Sequence, residues 1–301
     1  MFNLIGKRNI WFIVSAIIMI PGIIAIAMGG LKLGIDFTGG SLIRVTIPNE
    51  QPSISDIKSL VNEVANDNNI FVQPLGNNEF TIRLKNIDNQ TYQDILAKLK
   101  IKYPDVQEGS FESIGPIIGQ ELKQKAIIAV ILVLLSIILY ISFAFRKISG
   151  NIVKPWVYGL GAVIALVHDI FIVVGIFAIL GKFFNVEIDI LFITALLTVL
   201  GFSVHDTIVV YDRIRERLKL HAEKTFEQTV NESVNQTMVR SLNTSLTTLL
   251  VLLALYLFGG SSIQYFILAL LIGITAGTYS SIFIASPLLV VWRNFSLRPN
   301  K

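Results

Sequence analysis

The 301-residue sequence contains no cysteine. That excludes a disulfide framework, a thiol nucleophile and any thiolate-held zinc or iron–sulfur centre, and it leaves the compartment open, since a cysteine-free chain suits either redox environment. Charge is scarce as well. Asp, Glu, Lys and Arg make up 15% of the residues, against roughly a quarter in an ordinary soluble domain. From Ser241 to Trp292 there is no acidic or basic residue and no histidine. Such a stretch exceeds the ~20 apolar residues of one bilayer crossing, so it holds two crossings, or one crossing and a buried helix. Histidine is limited to three residues, with no His-Glu-x-x-His, which leaves no zinc-hydrolase pattern. No metal or cofactor is expected.

What the sequence has in quantity is apolar side chain, 53% of residues, with a mean hydropathy of +0.65. The net charge of +4 and pI near 9.2 would suggest a nucleic-acid partner only if the charges formed a stripe. They sit instead at the ends of apolar segments, which is the pattern of membrane topology. A secreted enzyme, a nucleic-acid-binding globule and a disordered chain are excluded on these grounds.

The first apolar run, Ile10 to Gly30, follows Lys7 and Arg8. It is too long for a signal-peptide core and lacks a small-x-small cleavage site, so an uncleaved transmembrane helix is expected. A hydrophilic stretch, residues 31–125, comes next. Ser41 to Ile47 alternates and is β-branched, and Ser53 to Ala65 has helical spacing behind two candidate caps, Ser53 and Ser55. Ile70 to Pro74 and Glu79 to Leu84 flank the hairpin signal Gly76-Asn77-Asn78; Thr91 to Lys100 reads as helix and Val106 to Ser113 as strand. The order β-α-β-β-α-β is that of a ferredoxin-like α+β unit.

Five more apolar segments follow: Ala126 to Phe145, Trp156 to Leu180, Ile188 to Val210, Ser241 to Phe258 and Ile263 to Val291. The expected fold is therefore a six-helix polytopic membrane protein with an external α+β domain between helices 1 and 2. The expected divisions are 1–30, 31–125, 126–292 with a cytoplasmic loop at 212–240, and a tail at 293–301. Lys and Arg collect at the N-terminus (Lys7, Arg8), the second-to-third connection (Arg146, Lys147, Lys154), the fourth-to-fifth connection (Arg213 to Arg240) and the tail (Arg293, Arg298, Lys301). By the positive-inside rule both termini are cytoplasmic and the folded domain lies outside.

Two histidine–aspartate pairs, His168-Asp169 and His205-Asp206, lie inside apolar segments. An ionisable group in hydrocarbon costs at least ~2.5 kcal/mol, so it persists with a partner, a water-filled cavity or a proton. Asp206 lies ~9 Å along its helix from the charged end at Asp212. Arg240 begins the next segment, with Asn243, Thr244, Thr247 and Thr248 at helical spacing behind it, so Arg240 and Asp206 are expected at similar depth on neighbouring antiparallel helices. Thr194, Thr198, Gly201 and His205 form a stripe beside Asp206. These residues make a polar seam. Either Asp206 gains and loses a proton while Arg240 alternates as its partner, or the two form a static buried ion pair, or the aspartate snorkels to the interface; the surrounding hydroxyl and amide groups favour the first. Asp169 fits a coupling role and a simple pairing, with His168 or with a partner subunit, equally, and each histidine is either a relay or a packing residue. Gly34-Ile-Asp-Phe-Thr-Gly-Gly40, with Asp36, Gly39 and Gly40, reads by itself as a turn from membrane into sheet. Gly273 and Gly277, with Ser281, offer a small-residue face for close helix packing.

Three blocks taken together, Gly34 to Gly40, Gly201 to Glu216 and Arg240 to Thr248, resemble the SecD/SecF family of bacterial protein-export membrane proteins, on its SecF side, within the resistance-nodulation-division superfamily. The resemblance covers the whole chain in order. It implies that Asp206 is the family's intramembrane aspartate, Arg240 its arginine in the following helix and Asp169 its His-Asp position in the third helix. At His205 the chain departs from the pattern, where Asn is frequent. It further implies a multi-pass protein of the bacterial inner membrane. Its partners would be a separate SecD-like subunit, the Sec translocon channel with its accessory subunits, the unfolded exported polypeptide and the lipid bilayer, with no nucleic acid. The activity implied is non-enzymatic: late-stage translocation driven by the proton-motive force. Two other classes were weighed. A small-molecule or lipid exporter of the same superfamily usually carries larger external domains. An intramembrane aspartyl protease would use Asp169 and Asp206 as a dyad, but no Gly-x-Gly-Asp precedes the second aspartate and Arg240 would disfavour the protonated acid such a dyad needs.

Overall fold

The computed structural model describes residues 2–49, 52–67, 69–74, 78–146, 153–220 and 224–296. In chain order the principal elements are α1 (Arg8–Ala27), α2 (Ile35–Thr38), β1 (Gly40–Thr46), α3 (Ile54–Ala65), β2 (Phe71–Pro74), β3 (Glu79–Leu84), α4 (Asn89–Lys102), β4 (Gln107–Ile114), α5 (Pro116–Ala144), α6 (Pro155–Phe184), α7 (Ile190–Leu220), α8 (Phe226–Phe258), α9 (Gln264–Ser280) and α10 (Ser286–Ser296), the last two joined by a π-helical turn, Ser281–Ala285. Two compact units result. One comprises Met1–Lys32 and Ile128–Lys301, the other Leu33–Ile127.

The first unit holds the apolar helices. Among the described residues six spans are long and apolar enough to cross a membrane: α1, α5, α6, α7, α8 and the run from Gln264 to Ser296. In hydrocarbon a backbone must satisfy its own hydrogen bonds, which is why these runs fold as unbroken helices. Their ends follow ordinary helix chemistry. Pro155 opens α6, where a missing N–H costs nothing, and Asn185 closes it in the left-handed region at φ 57°. Thr225 and Gln228 form a reciprocal capping box at the start of α8. Helices meet where side chains are absent. A Cβ on Gly22 of α1 would stand 2.7 Å from the Gly175 Cα of α6. On α9, Gly273 faces the Val199 side chain and Gly277 the Ser203 side chain of α7, with an added Cβ at 2.3 and 2.8 Å. The expected small-residue face is thus the α7–α9 contact.

Several helices outrun their apolar segments. The stretch 212–240, expected as a loop, is largely the helical ends of α7 and α8. They are braced by Arg213 Nε donating to Gln236 Oε1 at 2.7 Å, by Arg217 Nε donating to the same oxygen at 3.0 Å, and by an Arg217–Glu232 ion pair. Charged residues here have aliphatic stems and good helix propensity, so nothing stops the helix at the end of the apolar run. The Gly76-Asn77 turn, Lys147, His221, Arg298 and Lys301 lie outside the described residues.

The second unit is an antiparallel sheet of order β2-β3-β1-β4 with α3 and α4 in the connections, giving the element order β-α-β-β-α-β. The register pairs Ile43 with Ile82 and Val45 with Phe80. Alternation puts Ile43, Val45, Ile82 and Leu84 on one buried face, against Ile57 and Val61 of α3 and Ile95 and Leu99 of α4. Burial of each such side chain is worth about 1.5–3 kcal/mol. Ser53 caps α3, accepting from the Asp56 N–H at 3.1 Å, so of the two candidate caps the first is used. Asp67 accepts the backbone N–H groups of Asn69 and Lys85 at 3.0 and 2.8 Å, which holds its carboxyl below the usual range. Gly39 and Gly40 have φ of 72° and 131°. A Cβ on Gly39 would lie 2.7 Å from the Pro116 Cα, so this pair turns the chain from α2 into β1 in a conformation closed to other residues.

Candidate functional site: two carboxylates in the membrane helices

Asp169 on α6 is fully buried at 0% exposure. Its Oδ2 accepts two hydroxyl hydrogen bonds, from Ser203 Oγ of α7 at 2.7 Å and from Ser280 Oγ of α9 at 2.8 Å. Its Oδ1 lies 3.0 Å from Nδ1 of the adjacent, buried His168. Three helices thus contribute to one carboxyl group. The residues beyond it are also hydroxyl-rich. Thr207 and Ser281 share a hydrogen bond of 2.9 Å, Ser286 Oγ donates to the Ser281 carbonyl at 3.0 Å, and Tyr211 Oη donates to the Ala285 carbonyl at 3.2 Å. The last two donors serve carbonyls of the π turn, where the regular i→i+4 ladder is interrupted.

Asp206 on α7 is 7% exposed and less fully provided for. Oδ1 accepts from Ser241 Oγ of α8 at 2.5 Å, while Oδ2 has no hydrogen-bond partner among the described residues. Its donor stands next to Arg240 in the chain, so the expected depth match between α7 and α8 is present. Arg240 itself is exposed, and no ion pair joins it to Asp206. Ser241 and Ser245 are the buried residues of this part of α8, Ser245 sharing a 2.5 Å hydrogen bond with Thr278.

The polar seam runs along the outside of this unit. Thr194, Thr198, Gly201 and His205 on α7, and Asn243, Thr244 and Thr247 on α8, are all exposed, and Thr248 is half-buried. Thr194 and Thr198 return their hydroxyls to carbonyls four residues back, at 3.0 and 2.8 Å, and Thr244 does the same toward Arg240 at 3.0 Å. Polar groups on a lipid-facing surface satisfy themselves in this way until another surface covers them. Of the signature loop, Gly34 and Gly40 are buried and Asp36 is half-buried in the first turn of α2. Periodicity sets the seam residues on one side of each helix and assigns no role to the inward serines Ser203, Ser241 and Ser280, which bind the carboxylates. Ser203 stood three residues before Asp206, one turn away on the same helix, and was the signal available.

Residues 94–295 match the family described as protein export membrane protein SecD/SecF, C-terminal, and residues 24–47 match the SecD/SecF GG motif. The chain belongs to the SecD/SecF family. Protein translocase subunit SecF of Thermobaculum terrenum is 48% identical, over 98% of this chain and 95% of the relative; that of Anaerolinea thermophila is 40% identical over the same shares. The crystal structure of SecDF from Thermus thermophilus, described as a translocon-associated membrane protein, superposes with a TM-score of 0.81 at 34% identity, covering 97% of this chain and 39% of that longer one. Membership in the SecD/SecF family makes this a multi-pass membrane protein of the SecF type, whose relatives are subunits of a protein translocase. The Gly39-Gly40 turn falls inside the GG-motif match.

Proposed function

We propose that the chain is the smaller membrane subunit of a Sec translocation motor, driven by the proton-motive force and working beside a SecD-like subunit. In this reading it sits in the bacterial inner membrane with both termini in the cytoplasm. The β-α-β-β-α-β unit is a ferredoxin-like domain on the outer side, near the translocon channel and the emerging polypeptide. The observation that carries the reading is Asp206, a buried carboxylate with one oxygen bound by Ser241 and the other unpartnered among the described residues. A carboxylate in hydrocarbon without a full set of partners is suited to gaining and losing a proton.

The exposed seam of α7 and α8 supports the partner. A SecD-like helix packed on Thr194, Thr198, Gly201 and His205 would cover the polar stripe and enclose Arg240 beside Asp206. Arg240 then alternates between Asp206 and the partner as the proton comes and goes. Each charge moved through the potential supplies ~2.3 kcal/mol per 100 mV, and a two-state helix arrangement passes that work to the outer domain. No covalent bond of the polypeptide changes. The SecD-fused structural relative supports a SecD-like partner in the same way.

The test is Asp206→Asn, assayed as potential-stimulated preprotein export in membrane vesicles. Stimulation is lost while the complex still assembles. Normal stimulation would sink the assignment. Arg240→Lys separates a need for a planar guanidinium from a need for positive charge alone.

A further inference from the structure

We propose that Asp169 is a second proton-binding site of the membrane unit, and that Ser280 reports its state by exchanging one acceptor for another at the start of the π turn. The proposal rests on the proton-coupled reading above and adds to it a site independent of Asp206.

The geometry assigns the proton a position. With Oδ2 accepting from both Ser203 and Ser280, Oδ1 is the oxygen left to carry a proton, and it faces His168 Nδ1 at 3.0 Å. The other ring nitrogen, His168 Nε2, is buried and has no hydrogen-bond partner among the described residues. A buried polar atom without a partner is uncommon and calls for a reason. Proton transfer supplies one. A proton binds at Nε2, the Nδ1 proton passes to Asp169 Oδ1, and the products are a neutral imidazole with its hydrogen on Nε2 and a neutral carboxylic acid. The cluster then changes by one unit of charge, with no separated ion pair left in the low-dielectric interior.

Ser280 has one hydroxyl hydrogen and two acceptors in range, Asp169 Oδ2 at 2.8 Å and its own Gly277 carbonyl at 3.2 Å. The ionised carboxylate attracts that hydrogen strongly; the neutral acid does so less. Ser280 is the last residue of α9 before the π turn, and its neighbour Ser281 is tied to Thr207 of α7 at 2.9 Å. Ser203, the other donor to Asp169, lies one helical turn before Asp206. A change at Asp169 therefore reaches both the π turn and the helix that carries Asp206.

The groups facing Asp169 are few. They are His168 on its own helix, Ser203 of α7 and Ser280 of α9, with Tyr279 of α9 stacked near the imidazole at 6.2 Å between ring centres. Asp206 of α7 is engaged by Ser241 of α8. From α1, Ser15 and the Trp11 carbonyl meet the Tyr279 hydroxyl at 3.3 and 2.8 Å. None of these contacts brings a fixed positive charge to the site.

The experiment is pH-difference infrared spectroscopy of the full chain in liposomes, made in the Asp206→Asn background so that the first site is silent. A protonated-carboxyl C=O band that responds to pH and disappears in Asp169→Asn is the expected result. Ser280→Ala moves the carboxylate stretching bands of the ionised form, which lose a hydrogen bond, and leaves the protonated C=O band in place, because in the acid the Ser280 hydrogen has gone to the Gly277 carbonyl; this variant keeps Asp169 itself and reads the site even where Asp169→Asn does not insert. His168→Phe slows the pH response of the band. Absence of any pH-responsive band removed by Asp169→Asn, or carboxylate bands of the ionised form indifferent to Ser280→Ala, overturns the proposal. Loss of export in Asp206→Asn vesicles is a separate result, so the two readings fail separately.

Discussion

Asp169 and Asp206 are both buried carboxylates in apolar helices, yet the chain treats them differently. Asp169 has three donors or partners from three helices around it, all supplied by this chain. Asp206 has one, from Ser241, and stands beside a polar face turned outward. The difference teaches where the chain is complete. The Asp169 region is an internal joint whose hydrogen bonds hold α6, α7 and α9 together. The Asp206 region leaves Oδ2 without a partner among the described residues, and in the proposed reading a partner surface completes it.

That contrast makes unequal demands on substitution. Asp169→Ala is expected to have the largest effect on the isolated chain, since the Ser203 and Ser280 hydroxyls and the imidazole lose a partner at once, each at about 1–3 kcal/mol. Thermal unfolding in detergent should show a clearly lowered midpoint. Asp206→Ala, which strands one serine, should lower it less. Equal losses would erase the distinction between joint and half-site.

The glycines of α7 and α9 sharpen it further. A Cβ at Gly277 would press on the Ser203 Cβ at 2.8 Å, whereas one at Gly201 has nothing within 4 Å. Gly277→Ala should cost about 1–3 kcal/mol through overpacking. Gly201→Ala should leave the chain as stable as before, or more so by up to about 1 kcal/mol from helix propensity, and yet weaken co-purification of a SecD-like partner. A destabilised Gly201→Ala, or one with full partner binding, argues against the outward face as a docking surface.

A third carboxylate serves as the reference. Asp67 lies outside the membrane helices, nearly buried, and is satisfied by two backbone N–H groups that hold its carboxyl below the usual range. Because the folded-state value is lowered, its contribution is complete above the unfolded value of about 3.9 and is lost as pH falls through the lower folded value. Hydrogen exchange of the full chain should show the Asn69 and Lys85 amides deprotected on acidification below about pH 4. Asp67→Ala should deprotect them at neutral pH, for about 1 kcal/mol.

The sequence carried most of the architecture. Each of the six apolar runs is met by a helix, and the alternation of 41–47 and 79–84 by strands, because period and length are local properties, although α5, α7 and α8 extend well beyond their runs. α7 and α8 continue as helix through much of 212–240, because charge marks the edge of a bilayer, not the end of a helix. For the site, spacing told which residues share a side of α7 and α8 but not which side faces in. Thr194, Thr198 and His205 share a side of α7 and turn outward, while Ser203, Ser241 and Ser280 face the carboxylates. Ser280 meets Asp169 across a sequence separation of 111 residues, a contact that depends on how α9 crosses α6 and α7. The turn at Gly39 and Gly40 was legible from the paired glycines, since Gly39 at φ 72° and ψ 165° occupies a backbone region that L side chains rarely adopt.

The most direct test of the central claim is proton flux itself. The chain and a SecD-like partner, co-reconstituted in liposomes under an imposed potential, should pass protons into the lumen, read by an internal pH dye. Asp206→Asn should reduce the flux to that of protein-free liposomes. Flux unchanged by Asp206→Asn would contradict the account.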